Sequence, residues 1–97
     1  MKPAPLQIGG ARVVAYTAID HRHRATGRTK QIVEGKEVGP AAGLAICQYA
    51  NDTAFYLFGC DANWISVTDA WHRSIEDARD QAEFEYVGSS HTWVYAG

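Results

Sequence analysis

The chain reads as an α+β fold: an antiparallel sheet of about five to six strands with one C-terminal helix, about 75–87, packed on one face. Three observations predict it. Residues 41–60 run apolar, polar, apolar around Asn51-Asp52, which is a hairpin signature. Residues 11–19 are rich in β-branched and aromatic types and read as a strand. Ser74-x-x-Asp77 opens an alanine-bearing run that stops before Gly88, marking a helix with both of its ends. At 97 residues the chain is the size of a single domain, 1–97.

The elements follow in order. Residues 1–10 are a lead-in containing Pro and Gly. In the strand 11–19, alternation puts Val13, Ala15, Thr17 and Ile19 on one face and Val14, Tyr16 and Ala18 on the other. Residues 20–29 form a polar loop. Ile32-Val33 and Glu37-Val38 flank Glu34-Gly35-Lys36, a small exposed hairpin that Gly39-Pro40 ends. In the central hairpin Cys47 faces Tyr56 and Cys60 faces Gly43. Leu44, Ile46, Phe55 and Leu57 share one face, with Cys47, Tyr49, Tyr56 and Phe58 on the other. Both faces are apolar, so this hairpin is expected mid-sheet, with helix cover on one side and loops or a partner on the other. The two cysteines share a face without being opposite and read as buried free thiols.

Asp61-Ala62-Asn63 is a second turn, and Trp64-Ile65-Ser66-Val67-Thr68 a further strand. Thr68-Asp69 reads as a side-chain-stabilised turn leading to the helix. At 100° per residue Ile75, Ala78, Ala82 and Tyr86 form the helix's core stripe, mostly alanine, which lets its axis sit close to the sheet. Thr92-Trp93-Val94-Tyr95 reads as a short closing strand. Trp71 is expected in the core and Trp64, at a turn edge, as an exposed anchor.

A net charge of −2 with an ordinary apolar content excludes a disordered chain and a strongly basic nucleic-acid binder. No run of about 18 apolar residues marks a membrane-spanning helix, so no membrane partner is expected. Met1-Lys2-Pro3-Ala4-Pro5 has no apolar stretch behind it, so no secretory signal is read and the expected location is cytoplasmic. Charge is nonetheless lopsided. Residues 74–87 hold five acids and one base, while 20–30 hold four bases and one acid.

Four candidate sites follow. Arg22, Arg24, Arg28 and Lys30 form a modest basic patch for phosphate or a nucleic-acid backbone, without interleaved aromatics to stack bases. His21 and His23, with Asp20, Asp61, His72 and His91 as further donors, lack any HxxxH or CxxC spacing, so no metal or cofactor is expected. Cys47 with His72 or His91 lies in an apolar run that disfavours the thiolate, and GxSxG, P-loop and GxGxxG motifs are absent, so no catalytic residue is assigned. Phe84, placed opposite the helix's core stripe among Asp80, Glu83 and Val87, is either a partner-contact anchor or packed under Trp93 or Tyr95.

From Phe55 to Tyr86 the chain reads FYLFGCDANWISVTDAWHRSIEDARDQAEFEY. It resembles a group of small uncharacterised bacterial proteins with the C-terminal pattern YLF-CD--W---TD-WH-S-E-A--QAEFEY-G----W. The match runs from Tyr56-Leu57-Phe58 through Cys60-Asp61, Trp64, Thr68-Asp69, Trp71-His72 and the Gln81–Tyr86 block to Gly88 and Trp93, covering roughly 40 of the 97 residues. The group commonly has Thr where Ala70 stands, so a hydroxyl role there does not carry over. The resemblance implies no activity. The leading expectation is a non-enzymatic, cytoplasmic interaction protein, homodimeric or immunity- or antitoxin-like, contacting its partner through Phe84, Asp80, Glu83 and Trp64. The alternatives are phosphate or nucleic-acid binding through 20–30 and a small metal-assisted hydrolase using Asp61, Asp69 and His72.

Overall fold

The hairpin expected around Asn51-Asp52 is the centre of the molecule. The computed structural model describes residues 1–96. In chain order the elements are β1 (Gln7–Ile8), β2 (Ala11–Ala18), β3 (Arg24–Ala25), β4 (Gln31–Val33), β5 (Lys36–Val38), β6 (Gly43–Gln48), β7 (Phe55–Cys60), β8 (Ser66–His72), α1 (Ile75–Glu85), β9 (Tyr86–Val87), a 3₁₀ turn (Ser89–His91) and β10 (Val94–Tyr95). The main sheet is antiparallel in the order β1-β2-β6-β7-β8, and β10 also pairs with β2. Two short ladders, β3 with β9 and β4 with β5, stand apart. This is the expected α+β arrangement. No described helix is long and apolar enough to cross a membrane.

The central pairing is as read, with Cys47 opposite Tyr56 and Gly43 opposite Cys60. Each face has its own core. Leu44, Ile46 and Leu57 pack with Ala78 and Ala82 of α1, joined by Phe55, Ile75, Tyr86 and Trp93. Ala45, Cys47, Phe58 and Cys60 pack with Ile8, Ala11, Val13 and Trp64. The second face is thus covered by the N-terminal segment and the 61–65 turn. Both cysteines are free and buried.

Five expectations need correction. The lead-in contains β1, because Gly9 (φ 58°) and Gly10 (φ 83°) supply a two-residue left-handed turn that pairs Ile8 with Ala11. In β2 the four residues assigned to one face are split. Val13 lies opposite Cys47 but Ala15 lies opposite Ile46, so Val14 is an extra, bulged residue. The bulge passes the strand's buried set from one face of the sheet to the other. The third correction concerns the strand expected at 64–68, which runs from Ser66 to His72 and absorbs the supposed Thr68-Asp69 turn.

The tryptophans, fourth, exchange roles: Trp64 is 5% exposed and Trp71 61%. Trp64 takes a left-handed backbone (φ 62°) in a turn held by the Asp61 carboxylate, which accepts from the Asn63 and Ile65 amides at 2.8 and 3.0 Å. That turn throws the indole inward over Gly43, where it meets Tyr16 edge-on at 5.6 Å and donates to the Lys2 carbonyl at 2.8 Å. Trp71, by contrast, lies on the edge strand β8, opposite Tyr56.

Finally, α1 ends at Glu85 rather than 87, because Tyr86 turns extended (φ −136°) to pair with Ala25. Gly88 (φ 102°) opens the 3₁₀ turn instead of stopping the helix. The start is as read, with the Ser74 hydroxyl accepting from the Asp77 amide at 3.0 Å. The reciprocal half of a capping box is replaced: Asp77 is shorter than the usual Glu, and its carboxylate takes Arg73 Nε at 3.0 Å.

Gly43 is the residue that admits the Trp64 ring, since a Cβ there would lie 2.7 Å from Cζ3. Gly43→Ala should therefore lower stability by about 1–3 kcal/mol in urea denaturation. Gly39→Ala, with nothing within 4 Å of its added carbon, should leave the midpoint unchanged.

Candidate functional site

Backbone carbonyls at a helix end lack intrahelical partners, and α1 has no basic residue in its last turn. The polar loop supplies what is missing. The Thr26 amide donates to the Glu85 carbonyl at 2.9 Å, and its hydroxyl to the Phe84 carbonyl at 2.8 Å. At the other end of this excursion the Ala41 amide donates to the Tyr86 hydroxyl at 2.8 Å. Residues 26–41 thus leave from and return to the C-terminal end of α1. They form an arch that carries the β4–β5 hairpin.

Beneath the arch lies a cleft of about 380 Å³. Its floor is the helix-side face of the sheet beyond the end of α1, where Leu44, Leu57, Gly59 and Ala70 line it. Alternation along the arch hands Ala25, Gly27 and Thr29 to the cleft. Thr26 and Arg28 are turned toward the helix. Arg28 stands over the Phe84 ring, 5.2 Å from its centroid.

This settles where the candidate residues lie. Phe84 is 46% exposed and is not under Trp93 or Tyr95; Arg28 caps it. Asp80 is exposed. Glu83 is committed internally, its carboxylate accepting from the Gly88 and Ser90 amides at 3.0 and 2.9 Å. Burial alone would raise this carboxyl, but those two N–H donors hold it below its ordinary value. Trp64 is core. Arg22 forms a two-point pair with Asp20 at 2.9 and 3.0 Å, and its guanidinium holds the Asp20 carboxyl well below the usual range. Lys30 pairs with Glu37 at 3.3 Å. Of the four basic candidates, Arg24 alone has no ion-pair or ring partner among the described residues.

The histidines do not converge. His21 is exposed, whereas the His23 side chain is fully buried. His23 Nδ1 accepts from the Asp20 amide at 3.0 Å, which leaves Nε2 to donate to Thr92 Oγ1 at 2.8 Å. Thr92 in turn meets buried Thr17 at 2.6 Å. Asp69 and His72 lie opposite Phe58 and Phe55, so they point to opposite faces of β8 and form no Asp–His pair. Among the described residues no three His, Cys, Asp or Glu side chains gather as a metal site. Burial pushes the Cys47 thiol up to about 12, aided by Cys60. It does the same for Cys60, aided by Asp61. Neither is a nucleophile at neutral pH.

Comparison with protein-family models, curated proteins and solved structures gives no significant match.

Two features escaped the sequence reading. The cleft did, although the small residues Ala42, Gly59 and Ala70 were a signal that the sheet floor there is low. So did the open edge of β8, because that strand was placed two residues too early. Its exposed Trp71 and Val67 project from a strand paired on one side only.

Two measurements check the clamps. Thr26→Val should lower stability by about 1 kcal/mol and speed amide exchange across 26–40, leaving β6 and β7 protected. For Glu83 the sign follows from its lowered pKa. Its contribution is whole above the ordinary value of 4.5 and is lost as pH falls through the lowered one. Glu83→Gln should therefore cost about 1–2 kcal/mol at pH 7, and the difference from the native chain should shrink in acid.

Proposed function

We propose that this chain is a protein-association module whose contact surface is the open edge of β8, and that its partner there is a second copy of itself. One observation carries the reading. β8 is seven residues long, pairs among the described residues only with β7, and contains neither Lys nor Pro to discourage strand addition. The opposite edge is different, for β2 is covered by both β1 and β10.

The side chains favour one register. The arch approaches β8 near residues 67–70 without pairing with it. Antiparallel pairing centred on Trp71 lies beyond the arch. It sets Trp71 opposite Trp71 of the second copy and Asp69 opposite Arg73 of the second copy. Pairing centred on Asp69 would instead oppose two carboxylates. Arg73 is 82% exposed and is held only by the surface pair with Asp77, so exchanging that partner costs little. Tyr56, beside Trp71, and Tyr49, edge-on to Tyr56 at 5.3 Å, extend the aromatic row inward from the edge.

The acidic helix face with Asp80 and Phe84 supports a second, weaker reading as a contact for a basic partner, since Phe84 keeps nearly half of its surface exposed. Phosphate or nucleic-acid binding has less support, because three of its four cations already have partners within the chain.

Sedimentation across protein concentration tests the association. A dimer should form by about 100 μM, and Trp71→Lys should give a folded monomer. Asp69→Arg should weaken the dimer about tenfold or more, and Asp69→Arg with Arg73→Asp should restore it. Phe84→Glu should leave it intact. A native chain that stays monomeric to about 1 mM, or a charge exchange that restores nothing, overturns the reading.

A further inference from the structure

We infer that the cleft under the 26–41 arch is a binding site for a small organic monocation with an apolar body, an alkyl- or arylalkylammonium. The volume of about 380 Å³ falls in the range of small-molecule sites. The hollow is built rather than left over. Leu44 and Leu57 give it an apolar floor, and Ala42, Gly59 and Ala70 keep that floor low. Gly59 leaves no choice of side chain, because a Cβ there would come within 2.5 Å of Thr68 Oγ1. The roof is fixed at its two ends, by the Thr26 hydroxyl on the Phe84 carbonyl outside the cleft and by the Ala41 amide on the Tyr86 hydroxyl at its margin, so the Glu85 carboxylate and the apolar floor are not used in holding it up.

Charge selects the ligand's sign. The one lysine in the lining, Lys30, is already paired with Glu37. Glu85, Asp61 and Asp69 also line the cleft, and none has a basic partner among the described residues; Asp69 stands opposite Phe58, so its side chain belongs to the other face of β8. Asp61 is spent on its own turn, its carboxylate accepting two backbone amides. Glu85 keeps more freedom, with one oxygen accepting from Gln81 Nε2 at 2.9 Å. Glu85 is therefore the ammonium's counter-charge. The arch turns Arg28 away, and neither Arg28 nor Arg24, which precedes the arch, is among the lining residues. An apolar body on Leu44 and Leu57 with its ammonium toward Glu85 uses both kinds of lining. A carboxylate in the same place would face unpaired acids.

Isosteric probes of different charge test this. Tryptamine, indole-3-ethanol and indole-3-propionate differ at one terminal group, and hexylamine with hexan-1-ol supplies an aliphatic pair. In an amide-resolved NMR titration of the full chain, at least one amine should shift the amides of Gly27, Gly59 and Ala70. It should bind about tenfold more tightly than its alcohol, the scale expected for one partly screened charge pair. Ala42→Leu, which fills the hollow, should abolish the shifts. Glu85→Gln should keep the alcohol's affinity and remove the amine's advantage. If no probe moves those amides, if indole-3-propionate binds as well as tryptamine, or if Glu85→Gln leaves the amine preferred, the proposal is overturned. Ala42 and Glu85 lie off β8, so the sedimentation behaviour should not change and the two surfaces can fail independently.

Discussion

Ile46 and Cys47 are adjacent in β6, point to opposite faces of the sheet, and are both wholly buried. A strand buried on both sides needs cover on both sides, and a chain of 97 residues has little to cover with. Its one helix has eleven residues, about 16 Å of length at 1.5 Å per residue. That packs Ala78 and Ala82 on Leu44, Ile46 and Leu57 and leaves the end of the face beyond Leu44 and Leu57 without helix cover. The arch covers the rest of this face. The N-terminal segment and Trp64 cover the other. Trp64 fastens that second cover by donating to the Lys2 carbonyl, so the earliest residues are held by a turn sixty positions later.

The arch and the helix complete one another. The helix lacks a basic residue at its end, and Thr26 fills two vacant carbonyls there. The arch lacks a core of its own, since β4 and β5 are largely exposed, and gains its fixed ends from Thr26 and Ala41. Among the described residues no cation of the basic segment pairs with a carboxylate of the helix. The basic segment does not stand off as a patch. Arg28 rests on Phe84, worth about 0.5–1 kcal/mol for an exposed cation on a ring. Arg22 turns back on Asp20, and Lys30 reaches Glu37. The two regions that looked like separate binding surfaces are partly each other's partner.

The legible features were those set by local periodicity. The two faces of the central hairpin, the Ser74 cap, the Ala78–Ala82 stripe and the Ile32–Val38 hairpin all follow from spacing and turn chemistry within a few residues. The failures come from single-residue events that shift a phase. The bulge at Val14 leaves no mark in composition, yet it transfers Ala15 and Thr17 to the other face of the sheet. A bulky residue rarely takes φ > 0. The left-handed backbone at Trp64 therefore could not be expected from its type, and one such residue moved the strand boundary and exchanged the roles of two tryptophans. The cleft depends on contacts between Thr26 and Glu85, far apart in sequence, which no local pattern encodes.

Because side chains alternate along a strand, β8 separates the two proposed surfaces residue by residue. Thr68 and Ala70 lie opposite Gly59 and Leu57 and face the cleft. Asp69 and Trp71 lie opposite Phe58 and Tyr56 on the other face. A ligand under the arch would thus rest on Thr68 and Ala70 and a strand laid along the edge on Trp71, with Asp69 at the margin of both. They would share the backbone of β8, which is joined to the sheet on one side only. That half-free strand has the cleft on one face and the exposed Trp71 on the other. The same lack of a neighbouring strand leaves the wall of the cleft open to adjustment and the edge open to addition.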